Sequence, residues 1–94
     1  VIPSNSKYDH APYPSSIDSI MEFRLLRSFL AVAETGHVGR AALKLHISQP
    51  PLTRHIHQLE RELGVTLFVR TPRGMELTDA GLLFVDEARN LLTL

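Results

Sequence analysis

The chain has 94 residues, no cysteine and a formal net charge of zero, with ten basic side chains balancing ten acidic ones. This length suits one small domain, and the lack of cysteine excludes disulfides and thiolate metal sites. No apolar run approaches the roughly 20 residues of a membrane span, and no signal peptide is visible. We therefore expect a cytoplasmic protein that does not enter a membrane.

Residues 1–20 carry three of the six prolines and five serines, and neither a helical nor a strand period runs through them. Such a composition is typical of a segment outside the core. We predict that residues 1–20 are a disordered leader or an extension added by cloning, and that Met21 is the natural start. The folded domain is then expected to occupy residues 21–77.

Apolar spacing predicts three helices, from about Glu22 to Thr35, from Val38 to Leu45 and from Ser48 to Leu63. Their buried faces share spacings of three and four residues: Phe23, Leu26, Phe29, Leu30 and Ala33; Val38, Ala41, Ala42 and Leu45; Leu52, Ile56, Leu59 and Leu63. The second and third helices are joined by a very short turn, which is typical of a helix-turn-helix.

A small β-hairpin, or wing, is predicted next. Val65, Leu67 and Val69 alternate along the chain, and the sequence TPRG of residues 71–74 then interrupts them. Proline and glycine suit the second and fourth places of a type I turn, so Arg73 is expected at the tip of the wing.

Residues 78–94 are predicted to begin a final helix, with Thr78 as N-cap and Asp79 placed favourably for the helix dipole. Apolar residues cover a wide arc of this helix. One side is expected to pack on the domain and the other on a second copy of the chain. The predicted homodimer contacts are Leu82, Val85, Ala88, Arg89 and Leu92.

The third helix opens with the unusual sequence SQPP, residues 48–51. First-turn amides of a helix have no intrahelical partner, so Pro50 and Pro51 remove two such donors and hold a helical φ. An N-cap serine normally accepts from the second or third amide. The hydroxyl of Ser48 is therefore predicted to be left for a partner outside the helix.

The face of the third helix opposite its apolar stripe carries side chains suited to reading DNA. At about 100° per residue, this face contains Gln49, Pro50, Thr53, Arg54, His57 and Arg61. Glutamine pairs with adenine and arginine with guanine, while threonine or proline can contact the thymine methyl. Between Glu34 and Glu60 there is no acidic residue, which predicts one electropositive face on a neutral protein.

These segments resemble the N-terminal domain of the LysR-type transcriptional regulators. The resemblance covers residues 21–94 and is carried by LRSFLAVAETG, by AALKLHISQPPLTRHIHQLERELGVTLFVR and by RGMELTDAG. It implies a mainly α winged helix-turn-helix, a three-helix core plus a hairpin wing, followed by a long linker helix. It further implies dimers through linker helices, tetramers in the full-length protein, and a separate effector-binding domain that this chain does not contain.

By position, the resemblance implies DNA contacts in the major groove at Gln49, Pro50, Thr53 and Arg54, with Ser48 and Pro51 beside them. It places Arg40, Lys44 and His57 near phosphates, and Arg70 and Arg73 on a wing against the minor groove. Gly39 stands where many members have a hydroxyl residue, and His37 where serine is common. Those two departures put a phosphate contact and a cap at the start of the second helix in doubt.

Three rival functions are weaker. His55 and His57 lie about 200° apart on a helix, so they cannot chelate one metal ion together. Ser48 and His46 lack a nearby acid to orient a catalytic base, which disfavours an enzyme. A winged helix used only for protein contacts is not excluded by fold, although the basic wing argues against it. No cofactor or metal is expected, and double-stranded DNA is the predicted partner.

Overall fold

The computed structural model describes residues 15–93, with side chains described from residue 23 onward. Its elements are, in chain order, α1 (Ser15–Thr35), α2 (Val38–Leu45), α3 (Gln49–Leu63), β1 (Phe68–Thr71), β2 (Gly74–Leu77) and α4 (Asp79–Leu92). This order confirms the predicted winged helix-turn-helix followed by a further helix.

The first helix begins earlier than predicted, at Ser15 rather than Glu22. Residues 15–20 were expected to belong to a disordered leader or an added extension, whereas their backbone continues α1. Their apolar residues, Ile17 and Ile20, are too few to show a clear period by themselves. The remainder of the predicted leader, residues 1–14, lies outside the described residues.

Helix α1 is the centre of the fold and packs against α2, α3, α4 and β2. Phe29 has no exposed surface. Its ring centroid lies 5.4 Å from that of Phe68 at the start of β1 and 5.2 Å from that of Phe84 on α4. Aromatic pairs at such separations add to the stabilisation that burial alone supplies. One side chain of α1 therefore joins the helix, the wing and α4.

The buried surface differs in places from the predicted stripes. Phe23 and Leu63 were predicted to be buried but are exposed, whereas Leu25 and Val32 are buried. Because α1 has neighbours on several sides, its buried face is wider than one stripe of helical spacing. Leu63 is the last residue of α3, where the chain turns through Gly64 at a φ of 72°.

The wing is a two-stranded antiparallel hairpin in which Phe68 pairs with Leu77 and Thr71 with Gly74. The predicted alternation was wrong in detail, because the adjacent residues Leu67 and Phe68 are both buried while Val69 is exposed. Leu67 lies before the strand. Its amide donates to the Glu60 carboxylate at 2.8 Å, and its carbonyl accepts from the Thr78 amide at 3.0 Å.

The first turn of α4 is fitted closely against the residues that precede β1. Thr78 caps α4 as predicted: its hydroxyl accepts from the Gly81 amide at 3.0 Å and donates to the Thr66 carbonyl at 2.6 Å. A Cβ on Gly81 would overlap the carbonyl oxygen of Leu67. The glycine thus permits a close approach that no other residue allows.

Within residues 15–93, no helix is both long and apolar enough to cross a bilayer.

Leu59 and Leu63 were predicted to share a buried stripe, but their exposed fractions are 5% and 42%. Leu59→Ala should lower the free energy of unfolding by about 2–5 kcal/mol, because a core truncation leaves a cavity. Leu63→Ala is the matched control and should cost far less. Urea denaturation of both variants measures the difference; equal losses would contradict the burial described above.

Gly81→Ala should destabilise the fold by about 1–3 kcal/mol, because the new methyl group forces α4 away from Leu67. In an unobstructed helix the same substitution is stabilising, so the sign of the effect is the test. In Gly64→Ala, a Cβ would meet no atom within 4 Å, and only the positive φ is strained. Thermal unfolding of Gly81→Ala at or above the wild-type midpoint would show that the close approach does not exist.

Candidate nucleic-acid interface

The N-terminus of α3 has the unusual start that the sequence predicted. Ser48 occupies the N-cap position with φ −79° and ψ 167°, and its side chain makes no capping hydrogen bond. Pro50 and Pro51 follow in the first turn, where there is also no acidic residue. The exposed hydroxyl of Ser48 is therefore available to a group outside the helix.

The outward face of α3 is polar and accessible. Leu52, Ile56 and Leu59 are buried against the other helices, so the opposite side of the helix faces outward. Gln49, Pro50, Arg54, His57 and Arg61 are exposed, and Pro51 and Thr53 are half-buried. The predicted base-reading side chains thus lie together on a single surface.

The wing, α2 and α3 enclose a recess, defined here by Gly36, His37, Val38, Gly39, Gln49, Thr53, Arg70, Thr71, Pro72, Arg73, Gly74 and Met75. The recess brings two predicted base-reading residues, Gln49 and Thr53, together with both predicted wing cations, Arg70 and Arg73. These four residues come from two parts of the chain, α3 and the wing. The fold therefore brings them to one recess.

The wing is held beside the recess mainly by contacts between backbone atoms. The Met75 amide donates to the Gly36 carbonyl at 3.0 Å, which joins β2 to the turn between α1 and α2. Gly74 has a φ of 121°, and a Cβ there would overlap that same carbonyl oxygen. The wing can approach the turn this closely only because residue 74 is glycine.

Two of the predicted phosphate-binding cations are paired with acids within the domain. The Lys44 ammonium contacts the Glu34 carboxylate at 2.5 Å, and Nε of Arg73 contacts Glu76 at 2.9 Å. All four side chains are at least 39% exposed, and exposed pairs contribute little to stability. Arg40 and Arg70 are exposed and form no salt bridge within residues 23–93. Arg40 and Arg70 are therefore free to bind a phosphate, whereas Lys44 and Arg73 would each exchange a carboxylate for a phosphate.

His55 and His57 have different surroundings on α3. His57 is exposed, whereas Nδ1 of His55 lies 2.7 Å from the hydroxyl of Ser28 on α1. Burial lowers the pKa of His55, and the charges of Arg24 and Arg54 lower it further. The neutral imidazole is thus favoured, and it links α3 to α1 through Ser28, a polar side chain with only 1% of its surface exposed.

His37 provides the helix cap that the resemblance put in doubt. Its Nδ1 accepts from the Arg40 amide at 3.3 Å, so the imidazole replaces the hydroxyl of the more common serine. The residues described by the structure include no group of three or more histidine or acidic side chains placed to hold a metal ion.

The five predicted dimer contacts of α4 differ in exposure. Ala88 has no exposed surface, whereas Val85 and Leu92 are partly buried against the core of their own domain. Leu82 is 64% exposed, and Arg89 is also exposed. Leu83 is also exposed, at 80%.

Sequence reasoning missed two polar contacts that position the interface. The Glu60 carboxylate accepts from the amides of Leu67 and Phe68 at 2.8 and 3.4 Å, and so ties the end of α3 to the start of the wing. The Ser28–His55 hydrogen bond was the other. The only signal for it was a serine within the apolar run LLRSFLAV.

Comparisons with known proteins agree with this architecture. The family model for the bacterial regulatory helix-turn-helix proteins of the LysR family matches residues 23–82. The chain is 64% identical over 72 residues to the HTH-type transcriptional regulator ClcR of Pseudomonas putida, covering 77% of this chain and 24% of ClcR. It is 61% identical over 74 residues to TfdS of Cupriavidus pinatubonensis, covering 79% of this chain and 25% of TfdS.

Solved structures of DNA complexes are similar as well. The CbnR DNA-binding domain bound to DNA matches with a TM-score of 0.73 and 52% identity, over 76% of this chain and 82% of that one. The BenM DNA-binding domain bound to catB site 1 DNA matches with a TM-score of 0.72 and 45% identity, over 76% and 80%. This chain spans about a quarter of the length of ClcR and TfdS. On the family match and these identities, the chain belongs to the LysR family of bacterial regulatory helix-turn-helix proteins.

Proposed function

We propose that this chain binds double-stranded DNA in a sequence-specific manner, as the DNA-binding domain of a LysR-type transcriptional regulator that acts in the bacterial cytoplasm. The observation that carries the proposal is the exposed, acid-free first half of α3, whose opposite side is anchored by Leu52, Ile56 and Leu59. A helix held in this way can enter a major groove with its N-terminal residues against base edges.

Each part of the interface has a separate role. Gln49 and Arg54 carry groups that form paired hydrogen bonds with adenine and guanine respectively, and Thr53 offers a methyl group to thymine. Pro50 and Pro51 lower the cost of burying the helix end, because they bring no amide that would lose its water. The Ser48 hydroxyl and the side chains of Arg40, Lys44 and His57 are assigned to phosphates, which fix the register of α3 in the groove.

The wing is assigned to the minor groove beside the major-groove site. Arg70 on β1 and Arg73 in the turn of the wing are both exposed, and arginine is drawn to the negative potential of a narrow minor groove. The recess joins this wing to Gln49 and Thr53. The contact of the wing with the minor groove and that of α3 with the major groove are therefore expected to fall on adjacent grooves of one duplex.

The chain is proposed to act as a homodimer through α4, and as part of a tetramer in the full-length protein. Leu82 and Leu83 are the exposed large apolar side chains in the first half of α4, and Arg89 lies further along the helix. A second α4 would cover these leucines.

Arg54→Ala and Arg73→Ala should weaken DNA binding in different ways. Loss of Arg54 should cost about 1–3 kcal/mol at the preferred site and relax the base preference, if Arg54 contacts guanine. Loss of Arg73 should weaken binding more evenly across sequences, because a phosphate contact carries no sequence information directly. Fluorescence anisotropy on a selected site and on random duplex DNA separates these outcomes.

Arg61→Ala is the matched control for Arg54→Ala. Arg61 lies on the same outward face of α3 but near its C-terminus, beside the acids Glu60 and Glu62, and its loss should have little effect on affinity. Equal losses for Arg54→Ala on preferred and random DNA would contradict its role in base recognition.

Affinity should fall steeply with salt. If Arg40, Lys44, Arg70 and Arg73 each neutralise a phosphate, the log–log slope should be near −3.6 per chain, at about −0.9 per contact. The pairs formed by Lys44 and Arg73 are exposed and cost little to exchange. Titrations between 50 and 200 mM KCl measure the slope, and a value near −1.8 would mean that only the two unpaired arginines reach phosphates. Undetectable or salt-independent binding would favour a module for protein contacts.

A further inference from the structure

Gly39 leaves a small space at the start of α2 that two other side chains occupy. A Cβ on Gly39 would stand 3.2 Å from the amide nitrogen Nε2 of Gln49, and 3.1 Å from Cε1 of His37. Ordinary carbon contacts are about 3.5–4.0 Å, so a methyl group at residue 39 would force one of these neighbours to move. The Gln49 amide thus lies against the backbone of α2.

The backbone conformation of Gly39 does not require glycine. The glycines with positive φ in residues 15–93 are Gly36, Gly64 and Gly74, whereas Gly39 lies within α2. Glycine in a helix is less favourable than alanine. Space for the side chains of Gln49 and His37 is therefore the structural reason for glycine at this position.

The His37 ring is the less movable of the two neighbours. Its Nδ1 accepts from the Arg40 amide at 3.3 Å. The His37 amide donates to the Thr35 hydroxyl at 3.3 Å, and that hydroxyl in turn donates to the Ala31 carbonyl at 2.8 Å. Gly36, just before, is tied to β2 through the Met75 amide. The histidine is therefore fixed through its ring and its backbone.

Gln49 is the more movable neighbour. It is exposed at the first position of α3, and within residues 23–93 its amide forms no hydrogen bond with another side chain. A larger residue at position 39 would consequently displace the Gln49 amide before the His37 ring. Two hydrogen bonds from a glutamine amide to adenine need a fixed direction of approach, so this displacement alters what Gln49 can read.

We propose that Gly39 and His37 position the side-chain amide of Gln49 and thereby set the base that it prefers. This inference rests on the proposed DNA binding. Gly39 and His37 act through Gln49 in this role, so they are positioning residues. Their effect should be confined to the base pair that Gln49 contacts.

The test is selection of the 94-residue chain against a duplex DNA library with randomised positions, followed by sequencing. The variants are Gly39→Ala, Gln49→Ala and the double substitution. Gly39→Ala should change relative base preference about fivefold or more at one base pair, the lower end of what one paired contact contributes. In the Gln49→Ala background the same substitution should leave base preferences unchanged.

His37→Ser provides a second variant that keeps a helix cap, because serine is a favoured N-cap residue. It removes the ring that lies against Gly39 while leaving α2 capped. The preference should change at the same base pair as in Gly39→Ala, and the thermal midpoint should stay near that of the wild type. A lower midpoint with unchanged base preference would assign His37 a structural role only and overturn its part in the proposal.

Several outcomes would overturn the role of Gly39. Gly39→Ala could weaken binding evenly at every position of the site. It could change base preference as much in the Gln49→Ala background as in the wild type, or it could leave base preference unchanged. If the wild-type chain enriches no sequence, the proposed DNA binding fails and this inference fails with it. If the wild-type chain enriches a sequence and Gly39→Ala does not change its base preference, this inference fails but the proposed DNA binding stands.

Discussion

The packing of Phe29 between Phe68 and Phe84 is the interaction on which the arrangement of the interface depends. It places the start of the wing and the middle of α4 against the same point of α1. In so small a domain a limited fraction of the surface is buried, and much of it is concentrated around this helix. The outward face of α3 is left free because the core is complete without it.

Two polar contacts then fix α3 relative to its neighbours. Nδ1 of His55 meets the hydroxyl of Ser28 on α1, and the Glu60 carboxylate accepts from amides at the start of the wing. They lie on the two flanks of α3, between its buried and outward faces. Because a buried polar group is costly without its partner, the Ser28 contact favours one rotation of α3, and that rotation decides which side chains face outward.

The fold and much of the interface could be predicted because their signals are local. The spacing of Val38, Ala41, Ala42 and Leu45, the cap at Thr78 and the prolines at the start of α3 each depend on near neighbours in sequence. The burial of Leu67 beside Phe68, the covering of Ala88 and the exposure of Leu63 depend on contacts between distant segments. The space at Gly39 likewise exists only once α2 and α3 are packed together, and a single sequence carries no sign of such pairs.

The backbone attachment of the wing has a consequence for how members of such a family diverge. The hydrogen bond from Met75 to Gly36 and the glycine at residue 74 hold the hairpin without using the side chains of Pro72 and Arg73. The tip can therefore exchange residues without a compensating change in the scaffold. The length and charge of the tip can therefore change in evolution or by engineering. Gly36 and Gly74, whose backbones meet beneath the tip, cannot.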